Sequence, residues 1–277
     1  MKLSEMREIL SAHDIQLTKS LGQNFLHDTH QLQRIADAAE LTKADKVLEI
    51  GPGLGPLTEL LISRAGEVLA IEMDRRLVAV LRERFPQLNL LHDDALDFIR
   101  REPRDWSDWK LVANLPYSVA SPILVELAQC QRRPKLMTVT LQLEVAQRLM
   151  SKADDDDYGV LTLLVQLDYE PRGWFKISAD CFFPSPNVDS ACVTLVRREK
   201  PLLPDEHRAA FVKIVKRAFS QRRKMMMKLL KAEWPAEKLA NAFAELNISP
   251  QERAEKLSVE QFVELTRMLC RDAKSIS

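Results

Sequence analysis

Between Lys46 and Leu143 the chain alternates between short apolar runs and stretches in which apolar residues recur every three or four positions. The short runs predict strands at 46–50, 67–72, 88–91, 110–113 and 135–141, and the periodic stretches predict helices near 55–65, 75–85, 95–101 and 119–131. Strand and helix alternating at this spacing predict a parallel sheet covered on both faces, with right-handed crossovers. Upstream, residues 3–12 read as a short amphipathic helix, 21–26 as a polar-apolar arm, and Asp28 as the cap of a helix over 30–41. Downstream the rhythm changes. Helices are expected from Glu144 to Met150 and at 159–168, and strands at 172–177 and from Cys192 to Val196, the latter entered through a proline-punctuated loop, Phe182 to Ser190. Pro201 and Pro204 flank a linker, beyond which 205–219, 223–231, 236–245 and 258–270 all read as helix. The expected fold class is therefore α/β: a doubly wound, mostly parallel sheet followed by a small all-helical domain. The boundary falls near Arg197 to Pro204, giving domains 1–200 and 201–277.

Charge refines this division. The 277 residues carry 40 basic and 40 acidic side chains, which argues against a uniformly basic nucleic-acid binder. From Arg198 onward, however, there are 17 basic and 11 acidic residues, against 23 and 29 before it. The tail is polarised, and from Lys213 to Lys231 it holds eight basic residues (Lys213, Lys216, Arg217, Arg222, Arg223, Lys224, Lys228, Lys231) and no acid. A run of one sign on a helical surface fits phosphate binding better than a solvated face, whose charges are normally mixed. Met225 to Met227 are expected to pack inward. The four acids Asp154 to Asp157 read as a solvated loop. Four scattered cysteines without a C-x-x-C pair predict reduced thiols in a cytoplasmic protein. The first residues lack the apolar core of a secretory signal, and no apolar run approaches the ~18 residues a membrane span needs.

Three of only seven glycines stand together at Gly51, Gly53 and Gly55, between a predicted strand and a predicted helix. Glycine permits a sharp turn and close approach of another molecule. A dinucleotide turn requires a small residue at the last place of G-x-G-x-x-G, where this chain has Pro56 or, counted from Gly53, Thr58. The pattern is instead G-x-G-x-G with Glu49 two residues before it, the arrangement found in methyltransferases that bind S-adenosylmethionine, and the glycines would make room for the methionine part. Glu72 ends the second strand, where an acid can accept from both ribose hydroxyls; Asp74 beside it is an equally good helix cap. Asp94, just past the third strand, could accept from the adenine amine of the cofactor or could simply cap the next helix.

The fourth strand runs into Asn114-Leu115-Pro116-Tyr117. The exocyclic amine of a base is a poor nucleophile, because its lone pair is drawn into the ring. Two acceptors, the Asn114 side-chain oxygen and the Leu115 carbonyl, could orient that amine toward a methyl group. Pro116 fixes the turn and Tyr117 offers a ring for stacking. The chemistry needs no metal and no strong base; positioning and electrostatics should dominate. A reacting base must also be presented outside any helical stack.

These residues, with Leu21-Gly22-Gln23-Asn24-Phe25-Leu26, Leu143 to Leu149, Phe183-Pro184 with Pro186, Val188, Asp189 and Ser190, Arg222-Arg223-Lys224 and Leu257 to Phe262, closely resemble the ribosomal RNA adenine dimethyltransferases of the small subunit over nearly the whole chain. The resemblance implies the Rossmann-like methyltransferase fold and two successive transfers to each of two adjacent adenines near the end of small-subunit rRNA. It implies that Asn24 and Leu26 close over the cofactor, and that Phe183 lies near the target base, with core packing the alternative. It also implies immature small subunits as partner and Arg222, Arg223 and Lys224 as RNA contacts; separately from the resemblance, the chain is expected to act as a monomer. One position departs: Lys228 stands where relatives usually carry Asn, which bears on RNA contacts rather than on chemistry. The competing readings are an adenine methylase acting on DNA or large-subunit rRNA, a non-catalytic assembly factor on the same fold, and a nicotinamide dehydrogenase, which Pro56 disfavours.

Overall fold

The structure is a computed structural model and describes residues 1–17, 23–221 and 223–271. Two compact units divide the chain: Met1–Ala146 with Glu170–Arg197, and Gln147–Tyr169 with Arg198–Ser277. The second unit is discontinuous, taking in 147–169, which a linear cut at 200 assigns to the first.

In chain order the first unit contains α1 (Leu3–Ala12), β1 (Phe25–Leu26), α2 (Thr29–Ala38), β2 (Lys46–Ile50), α3 (Pro56–Arg64), β3 (Glu67–Glu72), α4 (Arg75–Arg84), β4 (Asn89–His92), α5 (Ala95–Arg101), β5 (Trp109–Asn114), α6 (Ala120–Gln129) and β6 (Leu136–Gln142). After α7 (Leu143–Met150) and α8 (Val160–Gln166) it resumes with β7 (Tyr169–Ile177), β8 (Phe182–Phe183) and β9 (Ser190–Arg197). Seven strands form one sheet in the order β4-β3-β2-β5-β6-β9-β7. β2 pairs in parallel with β3 and β5, β3 with β4, and β5 with β6, whereas β9 runs antiparallel to β6. The central strands β2, β3, β5 and β6 are buried almost throughout, which is why they read as continuous apolar runs. β7 alternates between exposed and less exposed positions, as an edge strand does. The strand order reverses between β2 and β5, and in such sheets the crevice beyond the carboxyl ends at that point takes ligands.

Local chemistry sets the helix starts. The carboxylates of Asp28, Asp74 and Asp94 accept backbone N–H groups at the starts of α2, α4 and α5. A second, two-stranded sheet pairs β1 with β8, placing Phe25 opposite Phe183 and Leu26 opposite Phe182.

The second unit packs α8 with α9 (Asp205–Ala218), α10 (Met226–Leu230), α11 (Ala236–Glu245) and α12 (Val259–Cys270). Phe211, Phe243 and Phe262 are fully buried, and Ser258 with Gln261 closes a reciprocal cap at the start of α12. Arg208 forks onto both oxygens of buried Asp168. Met226 and Met227 are buried, matching the expectation for the methionine run. The helix expected over 223–231 starts only at Met226, because extended Met225 breaks it and the Met226 N–H donates to the Glu252 carbonyl. Arg223 and Lys224 therefore sit on an exposed turn rather than on the helix.

Beneath the first unit's sheet lies a buried ionic knot. Asp45 accepts from Lys135 at 2.7 Å and Lys110 at 3.1 Å, and from the backbone and hydroxyl of Thr42. Lys110 also donates to the carbonyls of Ala39 and Glu40, tying the end of α2 to β5. Burial alone would raise the Asp45 pKa, but the bonds from Lys135, Thr42 and Lys110 hold it well below its ordinary value of 3.8. Asp45→Ala is expected to destabilise the fold by about 3–5 kcal/mol at neutral pH by leaving a buried ammonium unpaired. Since the folded pKa is depressed, this contribution is full above the unfolded value and fades as pH falls through the folded one. Urea unfolding at pH 7 and in acid checks this: the two proteins should differ at pH 7 and converge as acid is added.

Candidate active site

The carboxyl ends of β2, β3 and β5 stand side by side, so the residues that follow them meet in one crevice. A cavity of about 280 Å³ opens there, lined among others by Asn24, Leu26, Glu49, Glu72, Asp94 and Asn114. Gly51, Gly53, Leu115, Pro116 and Tyr117 also line it. Gly51 and Gly53 have φ of 68° and 63°, a conformation that side chains rarely adopt. A Cβ on Gly51 would lie 3.2 Å from the Pro116 ring, and one on Gly53 would lie 2.7 Å from the Phe25 ring. The space next to these two glycines is thus filled by the protein's own arm and turn, which clamp the loop from both sides.

Glu72 is buried, and each of its oxygens accepts a backbone N–H, Oε2 from Gly53 at 3.1 Å and Oε1 from Asp74 at 2.9 Å. Burial raises its pKa against the pull of these bonds. The carboxyl is held rigid, yet each oxygen has lone-pair capacity left for a ligand hydroxyl. Asp74 is engaged otherwise. It accepts from Arg76 and from Gln23 at 2.8 Å, and the Arg76 bonds lead in lowering its pKa to about 2. The Gln23 bond ties the arm to the end of β3. Asp94 takes the capping role, its Oδ1 accepting from Leu96 and Asp97, while Oδ2 has no partner among the described residues. Asp93 is paired with Arg101 at 2.6 Å.

In the sequence Glu49 stands out only as the acid two residues before the glycine turn. It is 1% exposed, and its Oε2 has no hydrogen-bond partner among the described residues. Burial, with the neighbouring Glu72 charge adding to it and the Thr58 hydroxyl opposing, pushes its pKa up to about 8. The signal that could have found it is a lone charge in the otherwise apolar strand of Lys46 to Ile50. A buried acid without a partner costs stability, and such groups cluster at functional sites.

Asn114 ends β5. Its Nδ2 donates to the Asn24 carbonyl at 3.1 Å, and its Oδ1 is buried with no partner among the described residues. The Leu115 N–H donates to the Thr140 carbonyl at 3.0 Å, and Pro116 accepts from Val119 at 3.1 Å, so the turn is fixed on both sides. Tyr117 is half-buried and its hydroxyl lies 2.5 Å from Ser190 Oγ. The crevice is thus lined by a residue whose amide oxygen is unused among the described residues, by an aromatic ring, and by two buried carboxyls on neighbouring strands. It can orient an amine and attract a cation. Among the described residues no cluster of three or more His, Cys, Asp or Glu could hold a metal.

Not every residue singled out from the sequence gathers here. Phe183 does not line the cavity; it packs in a cluster with Met6, Leu10, Ile15 and Phe25, with the Arg7 guanidinium 5.1 Å from its ring centre. The packing alternative describes its surroundings. Arg223 and Lys224 belong to the second unit, and Arg222 lies outside the described residues, as do Leu21 and Gly22.

Comparison with known proteins identifies the family. The family model for ribosomal RNA adenine dimethylases matches residues 15–270. A ribosomal RNA small subunit methyltransferase A from a Geobacillus strain is 38% identical over 276 residues, covering 95% of each chain, and that of Geobacter metallireducens is 37% identical over 264 residues, 92% of this chain and 96% of the relative. Among solved structures, a dimethyladenosine transferase from Plasmodium falciparum aligns with a TM-score of 0.76 at 25% identity, covering 87% of this chain and 95% of that one. The 23S rRNA methyltransferase ErmE aligns at 0.68 with 29% identity, covering 89% and 99%. With nearly the whole chain matched, this protein belongs to the ribosomal RNA adenine dimethylase family.

Proposed function

We propose that this enzyme uses S-adenosylmethionine, without a metal, to dimethylate the exocyclic amines of two adjacent adenines near the 3′ end of small-subunit rRNA. Its setting is the immature small subunit in the cytoplasm, where it acts as a monomer. The small subunit is favoured over the large because the curated relatives at 37–38% identity are named for the former, against 29% for ErmE. The observation that carries the chemistry is Asn114: it lines the crevice, its amide oxygen is buried and unpartnered among the described residues, and its nitrogen is held by Asn24.

The cofactor, when bound, supplies an electrophilic methyl on a positively charged sulfonium. Glu49 and Glu72 would bring two buried carboxyls to the cofactor's pocket, and Glu72 would offer acceptors to the ribose. Asp94 Oδ2 would accept from the adenine amine, and Asn24 and Leu26 would cover the ligand. Asn114 Oδ1 and the Leu115 carbonyl accept the two N–H groups of the target amine and turn its lone pair toward the methyl. Tyr117 stacks on the base drawn out of its helix. After one transfer the amine keeps one N–H, so a single acceptor suffices to orient it for the second.

In the second unit Lys216, Arg223, Lys224, Lys228 and Lys231 are exposed and suited to phosphates. Lys213 is exposed too but pairs with Glu233 at 2.7 Å.

Unmodified small subunits incubated with tritiated S-adenosylmethionine should yield dimethyladenosine on nucleoside analysis; no label, or label in large-subunit RNA or DNA alone, would overturn the reading. Asn114→Ala should lower kcat by at least about 100-fold, the scale of losing an oriented transition-state contact, with cofactor affinity by calorimetry little changed. A normal rate in that variant removes the amine-binding role.

Glu49→Gln separates stability from function. In the free protein the Glu49 carboxyl titrates near 8 rather than 4.5, so folding takes up a proton between those values and stability falls as pH rises through them. The glutamine variant should therefore melt higher by about 3 °C or more at pH 8.5, match the parent below pH 4.5, and bind S-adenosylmethionine about tenfold more weakly. An unchanged affinity would detach Glu49 from the cofactor. Finally, RNA affinity should fall steeply with salt, and Arg223→Glu with Lys224→Glu should flatten the log–log slope by about 2. A flat salt dependence in filter binding contradicts phosphate recognition.

A further inference from the structure

Tyr117 sits on a loop, and a loop side chain makes a good stacking platform only if something holds its ring still. Here the phenol is held at its far end. Its hydroxyl lies 2.5 Å from Ser190 Oγ, and Ser190 is fully buried at the start of β9. That start is itself fixed from several sides. Ser190 pairs with Gln142 across the antiparallel β6–β9 ladder. The preceding Asp189 accepts the Leu143 N–H on its carbonyl and, on its carboxylate, the Ala179 N–H and the Lys176 ammonium. The near end of the loop is anchored to β6 by the Leu115 N–H on the Thr140 carbonyl. Both ends of the Asn114–Tyr117 platform are therefore bonded to the β6–β9 pair.

Ser190 does not line the cavity, whereas Tyr117 does. The serine can act on a bound base only through the tyrosine. A hydrogen bond at the phenol edge leaves the ring faces uncommitted while restricting rotation about both side-chain torsions. Swinging the ring would break that bond and leave a buried hydroxyl without a partner.

We propose that Ser190 is a positioning residue for methyl transfer: it locks the Tyr117 ring in the orientation that stacks the target adenine against the Asn114 oxygen. This rests on Tyr117 stacking on the base. It assigns to the antiparallel strand β9, which contributes nothing to the cofactor side of the crevice, a direct part in presenting the base.

The test is a cycle of Ser190→Ala, Tyr117→Phe and the double variant, with Tyr117→Ala as reference. Each is assayed for kcat and KM on RNA, for cofactor affinity and for melting temperature. Both single variants should lower kcat about tenfold with cofactor affinity unchanged, and the double variant should be no slower than either, since the same bond is lost once. Wild-type rates in both single variants, or effects that multiply to about a hundredfold in the double, overturn the proposal. Near-normal activity of Tyr117→Ala would instead show that the stacking reading itself is wrong, and would take the proposal with it. Loss of activity in Tyr117→Ala with normal Ser190→Ala and Tyr117→Phe removes only the positioning role. If Ser190→Ala folds poorly, Tyr117→Phe, which deletes only the other partner of the bond, decides the matter alone.

Discussion

The hydrogen bond from Asn114 Nδ2 to the Asn24 carbonyl sets the chemistry of the crevice. A carboxamide is planar, so fixing its nitrogen fixes where its oxygen points. With the nitrogen held by the arm, the oxygen is left buried and unpartnered among the described residues, on a side chain that lines the cavity. The bond needs β5 to end at Asn114, the arm to lie across the strand ends, and the glycine turn to let the arm approach. Phe25 against Gly53 and Pro116 against Gly51 show how tightly those three pieces are matched. The arm is held in turn by the Gln23 bond to Asp74 and by the pairing of Phe25 and Leu26 with Phe183 and Phe182.

The carboxyls of Glu49 and Glu72 express the opposite tendency. Burying two acids on adjacent strands works against folding, and the protein compensates only partly, with two backbone donors on Glu72. A cationic ligand would supply what the fold withholds. The strain is local because the opposite end of the same sheet carries a fully satisfied knot, where Asp45 meets two ammonium groups and the Thr42 donors. One end of the sheet is closed by satisfied charges, and the other opens as a crevice lined by two buried carboxyls.

Much of this was legible in the sequence because burial leaves periodic traces. β2, β3, β5 and β6 are covered on both faces and so read as apolar runs, and Asp28 and Asp94 announced helix starts. What was not legible depends on contacts between distant residues. The β1–β8 ladder joins two-residue strands, too short for any period, so the surroundings of Phe183 could be read only as alternatives. That Pro116 and Phe25 stand where a Cβ on Gly51 and Gly53 would go is likewise invisible in the glycine pattern itself. The partner of the Tyr117 hydroxyl lies on a strand 73 residues away, which no local pattern encodes. Segment 147–169 joins the second unit through packing, which neither the change of rhythm after Leu143 nor the acidic run Asp154 to Asp157 discloses.

The central claim is that Asn114 receives the target amine on an oxygen oriented in advance by Asn24. A crystal structure with S-adenosylmethionine and adenosine tests it most directly. The expected result is Asn114 Oδ1 within about 3.2 Å of the exocyclic nitrogen, with Nδ2 still donating to the Asn24 carbonyl. An adenosine amine bound to other acceptors, with Asn114 Oδ1 turned toward a protein donor, would contradict it.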